Sequence, residues 1–174
     1  MMDINLILDL LTSIGVIISV IFLAIEIKKN TQAVRSNFYD SFANSNREFL
    51  HQLIADKELG KLFEKGIKSW MSLDEDDRRT SNFMFIQVFR IWENLYYQNK
   101  MKVLEPWLWK SNKNTITSYF HQKGIQEWWE TRRQSFSEEF IDFLEESKKP
   151  ENQIKVTTDL LASSRKRKKS KSKN

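Results

Sequence analysis

The sequence predicts an all-α protein: an N-terminal transmembrane helix, then a compact bundle of about five helices, then a disordered basic tail. Three observations predict it. The 174 residues include only 4 Gly and 2 Pro, too few for the turns that sheets consume. Apolar side chains along the body recur at three- and four-residue spacing, and no alternating run is long enough for a strand. The stretch from Leu10 to Ile25 carries no charge at all. The corresponding segments are 1–27, the N-terminal segment and span; 28–147, a cytoplasmic helical domain; and 148–174, the tail.

The span comes first. Sixteen uncharged residues cover roughly 24 Å as a helix, and a bilayer core of about 30 Å needs ~20 residues. Extension back to Ile4 supplies the length and includes Asp9, which leans towards the headgroups at modest cost. The helix is therefore expected over Ile4 to Ile27. A signal peptide fits poorly, because the chain opens "MMDIN" with an acid and no small-x-small site follows. A buried helix of a soluble bundle is the other alternative. Lys28, Lys29 and Arg35 follow the run and no Lys or Arg precedes it, which orients the body to the cytoplasm. Gly15 and Ser19 make a small-x-x-x-small pair, a candidate helix–helix contact in the membrane.

Nothing in "NTQAVRSNFYDSFANSNREFLHQLI" forces the helix to stop. It continues to about Ala55, or Asn30 or Thr31 caps a new helix at the interface. Asp56 caps a short helix carrying Leu59, Leu62, Phe63 and Ile67. Ser72 and Glu75 have capping-box spacing. The next helix has the strongest signal: Met84, Phe85, Val88, Phe89, Ile91, Trp92, Leu95 and Tyr96 share one side, and Phe83, Ile86 and Tyr97 add apolar surface elsewhere. Such a helix is central and packed by several neighbours. Pro106 opens a fourth helix, which ends near Gly124. A fifth turns Ile125, Trp128 and Trp129 inward. Ser135 and Glu138 have capping-box spacing before Phe140, Ile141, Phe143 and Leu144. After Pro150 the periodicity fades.

Charge divides unevenly. The formal +5 rests on Arg165, Lys166, Arg167, Lys168, Lys169, Lys171 and Lys173; without these seven, 21 basic residues face 23 acidic ones. The body is thus nearly neutral and the tail basic. Near an anionic leaflet each such residue contributes about 1 kcal/mol of attraction. Anionic lipid and nucleic acid are the tail's candidate contacts, beside a plain solubilising role.

The order of "KKNTQAVRSNFYD", "FRIWENLYYQ" and "EWWETRRQSFSEEF" resembles an uncharacterised family of short bacterial proteins with one N-terminal span and a cytoplasmic helical domain. The resemblance covers about Ile14 to Leu144, not the tail. It implies a single-pass protein of the bacterial inner membrane and no particular chemistry.

The residues themselves offer little for catalysis. No cysteine exists, which removes disulfides, thiolate metal sites and a thiol nucleophile. No G-x-S-x-G elbow, glycine-rich phosphate loop or H-E-x-x-H is present. Glu48 and His51 have di-iron spacing, but such sites need two pairs and further carboxylates. His121 has no acid at ligand spacing. One polar constellation stands out: Arg90, Glu93 and Asn94 on the central helix, with Glu130 and Arg133 beside the tryptophan pair. A covered Arg90 needs a carboxylate, from Glu93 or Glu130. Three readings fit it: an internal salt-bridge network, a solvated face, or a pocket for an anionic or amphipathic ligand. The expectation is a membrane-anchored interaction or assembly module, with an unknown protein partner or homo-oligomer and no cofactor. The alternative is a membrane-associated enzyme or ligand sensor with a pocket near Arg90, Glu93 and Trp128.

Overall fold

The computed structural model describes residues 3–151. Among them there is no strand, and six α-helices follow in order: α1 (Ile4–Ala55), α2 (Lys57–Lys68), α3 (Glu75–Lys100), α4 (Pro106–Phe120), α5 (Lys123–Arg132) and α6 (Glu138–Glu145), with a 3-10 turn at Arg133–Ser135. The basic residues from Arg165 to Lys173 lie outside the described residues.

Helix α1 continues past Ile27 without interruption. Thr31 does not cap a new helix; its hydroxyl donates to the Ile27 carbonyl at 2.9 Å. Close contacts nonetheless divide the chain into two units, between Ala43 and Asn44. In the first unit every large apolar side chain from Leu10 to Ile27 is at least 44% exposed. The hydroxyls of Thr12, Ser13 and Ser19 each donate to the carbonyl four residues back, at 2.8 Å. This helix is long and apolar enough to cross a membrane, and its side-chain hydroxyls are satisfied internally, as hydrocarbon surroundings require.

The second unit holds the core. Its first fully packed residue is Phe49, at the end of α1. Asp56 then caps α2, accepting from the Glu58 and Leu59 amides at 2.9 and 3.1 Å. Edge-to-face contacts run from Phe49 to Phe63, Phe85 and Trp128, with centroids 5.4 to 5.7 Å apart. Phe89 touches Trp92, Trp128, Trp129 and Phe136. Each such pair contributes about 0.5–1.5 kcal/mol beyond its buried area. The aromatic-rich composition is therefore a core.

Four details depart from the sequence expectations. The cap of α3 is Asp74, whose carboxylate accepts from the Asp77 amide at 2.8 Å; Ser72 instead donates to the Ser69 carbonyl. Asp74 directly precedes the first helical residue, so its side chain reaches the free amides first. Ser135 belongs to the 3-10 turn, which moves the start of α6 to Ser137, and no side chain caps it. Helix α4 ends at Phe120, and Gly124 lies in the first turn of α5, where it meets the backbone of Gly66. Phe83 and Tyr97 are 64% and 53% exposed, so α3 is covered on its Phe85–Phe89–Trp92 side and open on another.

Candidate functional site

The Arg90 constellation comes together in part. Arg90 donates from Nη1 to Glu93 Oε2 at 2.5 Å and from Nη2 to the Ser135 carbonyl at 2.6 Å. Its guanidinium lies over the Phe136 ring, 4.9 Å from the centroid. The second oxygen of Glu93 accepts from the Ser137 amide at 2.7 Å. The two side chains thus strap the α5–α6 connection onto α3. Burial works against the Glu93 charge, but the Ser137 backbone and side chain and the Arg90 guanidinium outweigh it, and its carboxyl is held below the usual range.

Arg133 takes a different partner, Glu145 on α6, at 3.1 Å. The Trp129 indole donates to the same carboxylate at 3.0 Å. That hydrogen bond, with help from Arg133, lowers the Glu145 pKa against its desolvation. Asn94 and Glu130 stand outside this arrangement. Asn94 is exposed, with only a long 3.4 Å contact from Gln98. Glu130 is exposed on the far side of α5's buried pair. Trp128 is fully covered, whereas the Arg90 side chain is half exposed; the two do not line one cleft. The alternative ligand pocket therefore has its polar groups engaged by backbone and its indole sealed in the core.

Asn82, which the sequence left unremarked, and Glu127, which brackets the tryptophan pair with Glu130, carry much of the polar structure. Asn82 is buried on α3, and its Oδ1 accepts from the Trp128 indole at 3.0 Å and from Arg132 Nε at 2.9 Å. Glu127 accepts from the Met71 amide at 2.8 Å and from the Ser69 hydroxyl, closing the α2–α3 turn onto α5. The signal for Asn82 was a polar residue within an apolar helix face, next to Met84 and Phe85. His121 is also used structurally: Nε2 lies 3.0 Å from the Ser147 carbonyl. Among the described residues no three His, Cys, Asp or Glu side chains converge as metal ligands. In the first unit, the Ser19 hydroxyl is turned onto the Gly15 carbonyl, and space around Gly15 is open.

Clefts occur elsewhere on the second unit. One of about 450 Å³ lies between α4 and α6, bordered by Lys113, Phe143 and Lys148. Another, about 470 Å³, lies at the α2–α3 turn, bordered by Lys65, Lys68, Asp74 and Asp77. The third is smaller, about 290 Å³. It is lined by Leu50, Leu53 and Ile54 of α1, Gly60, Phe63, Glu64 and Ile67 of α2, and Tyr119 of α4. Burial, and then the Glu64 charge, raise the Tyr119 pKa.

Comparison with protein-family models, curated proteins and solved structures finds no match.

Proposed function

We propose that this chain is a single-pass protein of a bacterial inner membrane, whose cytoplasmic helical domain serves as a protein–protein interaction or assembly module. The observation that carries this reading is the uncovered apolar length of α1. Thirteen large apolar side chains between Leu8 and Ile27 stand at least 44% exposed. In water that surface would cost about 25 cal/mol for each Å², and a bilayer removes the cost. A core helix of a soluble bundle would have its apolar side packed, and none of this stretch is packed. Lys28, Lys29 and Arg35 at its C-terminal end favour a cytoplasmic body.

An interaction role is favoured over catalysis by how the polar groups are spent. Arg90, Glu93, Arg133, Glu145, Asn82 and Glu127 each hold one element to another. The domain also leaves apolar side chains open: Leu50, Ile54, Met71, Phe83, Met101 and Trp107 are each more than half exposed.

Alkaline carbonate extraction of membranes from cells making the full chain tests the anchor. The protein is expected in the pellet and to enter solution only with detergent; complete release by carbonate would refute the anchor. Accessibility of an introduced cysteine near Lys148 in spheroplasts tests orientation, and protection from an impermeant thiol reagent is expected.

A further inference from the structure

The small cleft at the end of α1 lies on a helix that also presents exposed apolar side chains. On α1, Arg47, Leu50, His51 and Ile54 follow at i, i+3, i+4 and i+7, so they share one helix face. All four are exposed, Leu50 at 54% and Ile54 at 76%. Leu50 and Ile54 also line the cleft, together with Phe63 and Ile67. An apolar crest and an apolar groove therefore stand side by side on one surface.

We infer that this surface seats a second copy of the chain across a two-fold axis, with Leu50 and Ile54 of each copy entering the other's groove and Arg47 of each meeting the other's Glu64. Three features select this occupant. A two-fold contact requires one patch to be complementary to itself, and a crest beside a groove meets that requirement twice over. The charges agree: the cation Arg47 shares the crest's helix face and the carboxylate Glu64 lines the groove. The volume agrees as well. At about 290 Å³, lined by the apolar Leu53, Phe63 and Ile67, the cleft has room for a pair of aliphatic side chains. The inference rests on reading the domain as an interaction module and names its partner; it is independent of the membrane anchor.

The absence of cysteine from the chain makes the test clean. Two full-length versions with different tags are co-expressed, one with Ile54→Cys and the other with Glu64→Cys, and mildly oxidised both in membranes and after extraction into mild detergent. A disulfide-linked species carrying both tags is expected. Pairing Ile54→Cys with Gln134→Cys, exposed and away from the cleft, is expected to give none. In sedimentation equilibrium, Arg47→Glu and Glu64→Arg are each expected to raise the dimer dissociation constant at least tenfold, and the double variant to restore most of it. Unchanged tryptophan fluorescence establishes that each variant is folded. No doubly tagged species, adducts to another protein alone, or a double variant no tighter than either single overturns the inference. A failed cross-link in a protein that still pellets with membranes removes the dimer and leaves the anchor standing; cross-linking in a carbonate-released protein does the reverse.

Discussion

Gly124 packs against Gly66 so closely that a β-carbon on Gly124 would stand 1.9 Å from the Gly66 carbonyl oxygen and 2.7 Å from that of Ile67. Both obstacles are backbone, so neither can swing aside. Helices α2 and α5 meet here, and the contact fixes Trp128 and Trp129, one turn further along α5, against Phe85 and Phe89.

Gly124→Ala is therefore expected to destabilise the domain by about 3 kcal/mol, at the upper end of overpacking costs, or to prevent folding. Urea unfolding of the full chain in detergent, followed by tryptophan fluorescence, measures it. Gly15→Ala, where nothing lies within 4 Å of the new carbon, is expected to leave that transition unmoved. Equal stability of Gly124→Ala and the parent would show that α2 and α5 do not touch at this point.

Asn82 and Trp128 form a second checkable pair. Asn82→Ala leaves a buried indole N–H without its acceptor, and such a group costs about 1–3 kcal/mol. Trp128→Phe removes the donor and some packing. Their effects are expected to be non-additive, with a coupling of about 1 kcal/mol in a double-mutant cycle. Simple additivity would mean that the hydrogen bond contributes nothing.

The strap from Arg90 and Glu93 predicts a pH dependence. The folded-state pKa of Glu93 is lowered, so its contribution is full above the unfolded-state value near ~4.3 and is lost as pH falls through the folded value. Stability measured from pH 5 down to pH 3 is expected to fall less steeply in Glu93→Gln than in the parent. Glu145 titrates in the same direction, so the difference between the two proteins is the relevant quantity. Parallel curves would remove Glu93 from the acid response.

For the anchor, Ile17→Arg combined with Ile21→Arg places two charges near the middle of the apolar stretch. Each costs about 2.5–3.5 kcal/mol on insertion scales. The double variant is expected to move from the carbonate pellet to the supernatant or to be degraded. Retention in the pellet at parental levels would argue that α1 is held by something other than lipid.

The helical class was legible from the sequence because helix formation is a local matter. Scarce Gly and Pro, the three-and-four spacing of Met84 to Tyr96, the Asp56 cap and Pro106 at the start of α4 all act within a few residues of themselves. So does the charge-free run from Leu10 to Ile25, whose length and composition alone make it long and apolar enough for a span. Trp128, Trp129 and Ile125 were recognisable as core for the same reason.

Partnerships were not legible, because they join residues far apart in the chain. Spacing offered Arg90 two carboxylates; only packing chose Glu93, by bringing Ser135 and Ser137 against α3 and leaving Glu130 in solvent. Spacing read Gly124 as a helix end, whereas it is the point where two backbones touch. Nothing in the sequence singled out Leu50 and Ile54; the fold makes them part of a groove's lining. Local periodicity determines which residues turn inward; the three-dimensional chain path decides what each of them meets there.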